Sequence, residues 1–519
     1  LNAEFGDGLV NHKTYVLAGD GCLMEGISQE AISLAGHLKL KNLIVLWDDN
    51  GISIDGKISM TDSTNQTARF AASGWAVSAC DGHNPGEIAA CLAAAQHADR
   101  PVLIACKTTI GYGAPSKAGT SGCHGSPLGP DEIAGARKAL GWDYEPFVIP
   151  NEVMDAWRKA GSRGAADRAA WAARLAASPK KEEFTRRVSG KLPANFDAVI
   201  AGYKQELAKN PPALATRNAS QNALDVINAA VPETVGGSAD LTGSNNTKSK
   251  ELKPLTAADY GGRYVYYGIR EHGMAAAMNG MALHGGVIPY GGTFLVFTDY
   301  CRPSIRLSAL MQQRVIYVMT HDSIGLGEDG PTHQPVEHVA ALRVIPNLAV
   351  YRPCDAVETA ECWQLALKDE TRPSVLALTR QKLKPARIAY SEENLCARGA
   401  YEIAPADTKA EVVIFASGSE VEIAIAAKAK LDAAGKPTRV VSVPSMENFA
   451  AQDAAYKAKL LGSEKTRIAI EAGVRTGWDR FIGADGTFVG MTGFGASAPA
   501  EQLYEHFGIT AEAVVKAAG

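Results

Sequence analysis

Short runs of apolar residues, each closed by a glycine- or acid-rich turn and then followed by a helical pattern, recur along this chain. The first run, Tyr15-Val16-Leu17-Ala18, breaks at Gly19-Asp20-Gly21. A helical pattern leads to about Leu38, and a second run, Leu43-Ile44-Val45-Leu46-Trp47, breaks at Asp48-Asp49-Asn50-Gly51. An unbroken apolar run suits a strand buried on both faces, and an intervening helix returns the chain for parallel pairing. The pattern therefore predicts a βαβ unit, with its helix beginning near Met24. Val102-Leu103-Ile104-Ala105 predicts a further strand that enters a glycine-rich loop over 111–129. From 151 to about 187 the chain becomes rich in Ala, Lys and Arg and predicts surface helices.

Asn210-Pro211-Pro212 is the next break, because proline has no N–H for a helix to use. The stretch 191–211 is expected to be a linker. The second block, 212–385, has strand candidates at 264–267, 315–319 and 375–379. In the third, 399–519, a strand at 411–416 is followed by a turn and N-cap at Ser417-Gly418-Ser419. A helix to about Ala434 and a strand at 439–443 then complete another βαβ. The expected architecture is three consecutive α/β domains with mainly parallel sheets: 1–190, 212–385 and 399–519.

Composition agrees with that size. The chain has 519 residues, 46% hydrophobic and 21% charged, enough for about three domains with cores of their own. Disorder, collagen-like repeats and a disulfide-knotted mini-protein are excluded. A net charge of −4 gives no general pull toward nucleic acid or anionic membrane, so any phosphate binding must come from local clusters. No apolar stretch approaches the roughly 18 residues of a membrane span. Nine scattered cysteines without a CxxC pair fit a reducing compartment. The chain opens Leu1-Asn2-Ala3 without Met, which leads to the expectation that sequence precedes it; the expected compartment is the cytoplasm, with an organelle left open.

Five clusters carry candidate chemistry. Asp20 and Asn50 offer hard oxygen donors suited to Mg²⁺ or Ca²⁺, and both fall where parallel strands end and ligands bind. Asp-Gly and Asn-Gly are common turns, so either alone reads as a turn, while the two together are more specific. Glu271 falls where a strand gives way to a helix of small residues, either as a proton carrier with a raised pKa or as a carboxylate satisfying the helix dipole. Phe294, Phe297 and Tyr300 recur at three-residue spacing after a Gly291-Gly292 turn and would line one helix face, as plain core or as a stacking surface.

The fourth cluster, from His321 to Gln334, is the most informative: a buried strand enters a polar loop with three glycines, two histidines and three acidic residues. Pro335 is placed to open a helix behind it. His124 lies in a similar setting, Gly122-Cys123-His124-Gly125. Finally, Arg217, Ser244 and Arg380 stand at segment ends, where arginine forks suit phosphate oxygens or merely face solvent.

At this point the chain resembles the transketolases, thiamine diphosphate enzymes of the pentose phosphate and Calvin pathways. Gly19-Asp20-Gly21-Cys22-Leu23-Met24-Glu25-Gly26-Ile27-Ser28 with Asp48-Asp49-Asn50-Gly51-Ile52-Ser53 resembles the family's cofactor signature. Gly325-Leu326-Gly327-Glu328-Asp329-Gly330-Pro331-Thr332-His333-Gln334-Pro335 resembles its second, longer signature. Further likenesses run through Gly236-Gly237-Ser238-Ala239-Asp240-Leu241, Leu378-Thr379-Arg380-Gln381 and Phe494-Gly495-Ala496-Ser497-Ala498-Pro499.

The resemblance implies a thiamine diphosphate fold used twice, for the diphosphate and the pyrimidine, followed by a C-terminal α/β domain. It implies that Asp20, Asn50 and the Ile52 carbonyl hold Mg²⁺, for which Ca²⁺ can substitute, with Gly21 and Glu25 beside the cofactor. Glu271 would bond the aminopyrimidine ring, Phe294, Phe297 and Tyr300 would surround it, and Asp240 would lie near it. His124 and His333 would face the reacting carbons, His124 also meeting the cofactor, and Asp329 a substrate hydroxyl. His321, Arg217, Ser244 and Arg380 would grip the sugar phosphate.

The implied activity is reversible, ping-pong transfer of a two-carbon ketol group from xylulose 5-phosphate to ribose 5-phosphate or erythrose 4-phosphate. The implied assembly is a homodimer with sites at the subunit interface, free of nucleic acid and membrane. Family members carry a further N-terminal segment ahead of the first motif. Two alternatives stay open: a truncated, non-catalytic relative, or another thiamine diphosphate transferase such as dihydroxyacetone synthase. No GxGxxG follows the first strand, which argues against a nucleotide-dependent dehydrogenase.

Overall fold

The computed structural model describes residues 1–519, which fold as two compact units: Leu1–Glu182 with Thr256–Tyr260, and Glu183–Leu255 with Gly261–Gly519. The first unit is built on a parallel four-stranded sheet of β1 (Thr14–Gly19), β2 (Leu43–Asp49), β3 (Ala76–Asp81) and β4 (Val102–Lys107), in the order β1-β2-β4-β3. Alternation along β2 serves both faces. Val45 and Trp47 join Phe70, Trp75 and Leu103 on one side, while Ile44 joins Cys80 and Ile104 on the other. Strand β3 escapes the apolar-run reading because Ala76-Val77-Ser78-Ala79-Cys80 is made of small residues, and its pairing with β4 supplies what its side chains lack. The helical pattern after β1 is two helices, Asp20–Met24 and Gly26–His37, so helix starts at Asp20 itself rather than near Met24. Glu25, in extended conformation, breaks the two apart.

The second unit contains two sheets. One has six parallel strands: β5 (Thr234–Ser238), β6 (Tyr264–Tyr266), β7 (Ile288–Phe294), β8 (Ile316–Thr320), β9 (Ala349–Tyr351) and β10 (Ser374–Leu378), in the order β6-β5-β7-β8-β10-β9. The other comprises β11 (Tyr401–Ala404), β12 (Val412–Ala416), β13 (Thr438–Ser442), β14 (Thr466–Glu471) and β15 (Thr487–Gly490), in the order β11-β13-β12-β14-β15. Only β11 runs antiparallel, at an edge. Between β12 and β13 the helix Glu420–Ala433 makes the βαβ crossover that the sequence pattern predicts. Ser419 occupies its N-cap position, but its hydroxyl donates to the Glu420 carboxylate instead of capping the backbone.

Three expectations are corrected. The stretch 191–211 is no linker, because Phe196–Lys209 is a helix that buries Phe196 and Ile200, four residues apart, in the core of the six-stranded sheet. It ends where the two prolines follow. Gly291-Gly292 is not a turn but the middle of β7. A Cβ on Gly291 would lie 2.7 Å from Met278 Sδ, and one on Gly292 only 3.0 Å from the Val318 carbonyl, so close packing demands glycine inside a strand. Pro335 opens no helix, since the next one is His338–Arg343. No helix is long and apolar enough to cross a membrane.

Trp363 anchors the larger core. It is 0% exposed, meets Tyr290 edge-on at 5.6 Å, and its indole N–H donates to Ser220 Oγ at 2.9 Å. Trp363→Ala leaves a cavity and an unpaired hydroxyl, and should cost about 3–5 kcal/mol, read as a lowered denaturant midpoint.

Candidate functional site

In the first unit the ends of β1 and β2 bring Asp20 against the Asn50 loop. The Asp20 carboxylate is buried and accepts from Trp47 Nε1 at 3.1 Å and from the Gly51 N–H at 2.9 Å. Burial pushes its pKa up, and the Gly51 and Trp47 hydrogen bonds only partly offset that. Asn50 Oδ1 accepts from the Ile52 N–H at 3.0 Å, closing a tight turn in which Gly51 has φ +72. A Cβ added at Gly19, Gly21 or Gly51 would meet no atom within 4 Å, so this stretch of backbone is open to a ligand. A buried carboxylate, a side-chain amide and a neighbouring carbonyl form an oxygen-only donor set, and a divalent cation would offset the cost of burying Asp20. Glu25 and His124 are both exposed, His124 just after the turn Ser121–Cys123.

In the second unit the aromatic residues cluster, although they share no helix. Phe294 ends β7, Phe297 lies in a 3₁₀ turn, and Tyr300 sits in the helix Thr298–Leu310. Phe294 and Phe297 stack with ring centres 5.8 Å apart, and Tyr300 stands edge-on to Phe297 at 5.8 Å. Two histidines join the cluster: His321 stacks on Phe294 at 3.7 Å, and His333 stands edge-on to Phe297 at 5.5 Å. Glu271 begins the helix Glu271–His284, as expected, and is half-buried. Asp240 has φ +60, Asp329 is exposed in the long loop, and Arg380 is exposed after β10.

Positive charge accumulates beside these rings. Arg217 Nη1 donates to the Ser244 carbonyl at 2.9 Å, and the Arg217 N–H to the Thr379 carbonyl, which brings three distant segments together. Burial and then the charge of Arg380 pull the Arg217 pKa down. His321 is pushed down to about 3, first by burial and then by Arg217, Arg380 and His333. Two guanidiniums and two imidazoles thus crowd one another, an arrangement that an anionic ligand relieves.

Sequence reasoning passed over the groups that hold these side chains. Asn245 links Ser238 (2.9 Å) to Thr320 (2.6 Å), whose hydroxyl lies 2.8 Å from His321 Nδ1, and Thr216 meets Thr379. Gln334, within the long motif, had no role there, and in the structure it is buried and bonded twice. Ser, Thr and Asn at strand ends carry no pattern of their own. Only their proximity to Arg217 and His321 marks them.

These features define an α/β protein whose polar residues gather in loops at the carboxyl ends of parallel strands, where such folds bind ligands. Residues 2–193, 212–385 and 399–510 match three family models, described as "Transketolase, thiamine diphosphate binding domain", "Transketolase, pyrimidine binding domain" and "Transketolase-like TK C-terminal domain". The transketolase of Cereibacter sphaeroides is 58% identical over 517 residues, 100% of this chain and 78% of that protein. That of Rhodobacter capsulatus is 56% identical over 522 residues, 99% of this chain and 78% of that protein. Among solved structures, transketolase from Leishmania mexicana superposes with a TM-score of 0.93 at 43% identity, covering 99% of this chain and 77% of that one. A Pichia stipitis transketolase in complex with sedoheptulose 7-phosphate gives 0.92 at 38%, covering 99% and 76%. The chain belongs to the transketolase family, whose members are transferases.

The His321 shift carries a sign. An unfolded imidazole takes its proton near its ordinary 6.5, the folded one only near 3, so this contribution to stability is intact above 6.5 and lost as pH falls from 6.5 toward 3. His321→Asn should therefore flatten the acid limb of the stability curve between about pH 7 and pH 5. Ring NMR that shows His321 titrating near its ordinary value would contradict the assignment.

Proposed function

We propose that this chain is a working transketolase: it moves a two-carbon ketol group reversibly from a ketose phosphate such as xylulose 5-phosphate to an aldose phosphate such as ribose 5-phosphate. The crowding of Arg217, Arg380, His321 and His333 beside an aromatic cluster is the observation that supports it most, because it suits a phosphorylated substrate next to a flat ring.

When bound, thiamine diphosphate supplies the nucleophile and electron sink for cleaving a carbon–carbon bond, which no side chain offers. In this reading Asp20, Asn50 Oδ1 and the Ile52 carbonyl hold Mg²⁺, or Ca²⁺ in its place, and Gly21 and Glu25 lie beside the diphosphate. Phe294, Phe297 and Tyr300 exclude water from the pyrimidine ring, with Asp240 nearby. Glu271 holds a proton toward a ring nitrogen. His333 and His124 move protons on and off substrate oxygens, as an imidazole side chain can. Asp329 accepts from a sugar hydroxyl. Arg217, Arg380, His321 and Ser244 bind the phosphate, and a neutral His321 does so as a hydrogen-bonding group.

A homodimer fits the same reading. Tyr300, Leu307 and Leu310 stay exposed along the helix Thr298–Leu310, an apolar stripe suited to a protein interface. Nine scattered cysteines without a CxxC pair favour a reducing compartment such as the cytoplasm.

The test is formation of sedoheptulose 7-phosphate from xylulose 5-phosphate and ribose 5-phosphate with thiamine diphosphate and Mg²⁺ added. Product that vanishes without cofactor supports the reading. Preference for formaldehyde or pyruvate as co-substrate would move the assignment to another transferase of this cofactor class. Glu271→Gln should lower kcat by about 10²–10⁴-fold at near-normal sugar affinity. Arg380→Ala should raise KM for phosphorylated donors about 10-fold or more and leave an unphosphorylated ketose donor unaffected.

A further inference from the structure

The loop from His321 to Gln334 springs from the six-stranded sheet, yet much of its anchoring comes from the domain behind it. At its base, Asp322 Oδ2 accepts from Arg352 Nε at 2.8 Å, and Arg352 is held in turn by Glu420 and by the Ser417 carbonyl at 2.9 Å. Next along, Ser323 Oγ lies 3.5 Å from the Tyr504 hydroxyl. At the tip, the Glu328 carbonyl accepts from Ser497 Oγ. At the far end Gln334, 2% exposed, donates both hydrogens of one amide nitrogen: to the Gly327 carbonyl at 2.8 Å and to the Ala496 carbonyl at 2.8 Å. Only the NH₂ side of an amide can serve two carbonyls, so the chemistry fixes its orientation. Gly495 packs so tightly here that a Cβ would fall 1.7 Å from Gln334 Oε1.

Asp329 and His333 lie between these pinned points, and neither is anchored as firmly. Asp329 is exposed, and the His333 side chain meets the rings of Phe294 and Phe297 and the Thr332 hydroxyl, none of them in the third domain. Their positions follow from the ends of the loop. Gln334 closes it by joining its two limbs, Gly327 and Gln334, and by tying both to the segment 494–499.

We propose that the C-terminal domain is a positioning element for the sugar substrate, with Gln334 as its keystone: the Gly327–Gln334–Ala496 bridge holds Asp329 and His333 where a ketose phosphate meets them. The inference rests on the transketolase reading. It assigns to the third domain an effect on KM for sugars that spares cofactor affinity.

The test uses the holoenzyme with thiamine diphosphate and Mg²⁺. Gln334→Glu keeps shape but, when ionised, turns acceptor toward two carbonyls. It should raise KM for xylulose 5-phosphate about tenfold or more, with cofactor affinity by fluorescence titration within about twofold. A protonated Glu donates one hydrogen, so lowering pH from about 8 to about 6 should bring KM partway back in Gln334→Glu but not in Gln334→Met. Ser497→Ala, which removes only the bond to the exposed tip, covers the case of a misfolded Gln334 variant and should raise KM about two- to fivefold. Unchanged KM in the variants, or cofactor affinity falling in step with KM, overturns the proposal. Wild-type protein inactive on every sugar phosphate overturns the transketolase reading instead. Calorimetric binding of xylulose 5-phosphate to wild type and to Gln334→Glu then decides the positioning role separately.

Discussion

A guanidinium buried to 1% exposure, that of Arg352, governs how the second unit is put together. Stripped of water, its charge needs opposite charge on several sides. Asp322 supplies it from the end of β8, Glu420 from the helix that follows β12, and Glu471 from the end of β14, itself bound by Arg343 through two hydrogen bonds of 2.9 Å. Burial works against the Glu471 charge, but Arg343 and Arg352 overcome it and hold its pKa down to about 2. Two sheets with separate cores are therefore joined by an ionic cluster as well as by apolar contact. Apolar residues of similar volume would often stabilise such a place equally well. Discrete charges add direction, because Arg352 bonds well only when β8, β12 and β14 end at one level.

That requirement reaches the chemistry through adjacent residues. Asp322 follows His321, so the guanidinium that joins the sheets through Glu420 and Glu471 also fixes, through Asp322, the backbone of a histidine at φ +61, stacked on Phe294 and kept neutral by its surroundings. A non-glycine residue in that conformation costs free energy and persists only where neighbours over-determine it. Here the Thr320 hydroxyl, the Phe294 ring and the Asp322–Arg352 pair do so. Strain and ring stacking meet at one anchored strand end, while neutrality comes from burial and the positive charges of Arg217 and Arg380.

Legibility in the sequence followed physical scale. Runs such as Leu43-Ile44-Val45-Leu46-Trp47 declare a strand because side-chain burial alone suffices to form it. Strands β5 and β7 do not, since their glycines at 236, 237, 291 and 292 are demanded by the approach of Tyr290, Tyr267, Met278 and Val318, partners remote in sequence. The same limit explains the aromatic trio. Its spacing suggested one helix face, whereas the chain passes from strand to 3₁₀ turn to helix and reaches a shared cluster by another path. Charged and titratable site residues stood out because they are costly to place without reason. The amides and hydroxyls that orient them did not, being ordinary residues made important by position.

The two kinds of residue differ in what a substitution would reveal. On the proposed reading, losing Arg380 or Glu271 removes a group aimed at a ligand, and the effect should appear in one kinetic constant. Losing a residue such as Asn245 removes the bridge between Ser238 and Thr320, which reaches His321 only through a second hydrogen bond. Its effect should spread over sugar affinity, the His321 environment and stability together, because one small amide serves all three. The loop 321–334 lies between these extremes: it carries site candidates of its own, yet its three tethers to Tyr504, Ser497 and Ala496 come from residues remote in sequence, and each has one geometric consequence. On the proposed reading, that separability would let the third domain contribute to specificity, with substrate geometry set by the ion cluster and the amide bridge as much as by the residues assigned to the sugar.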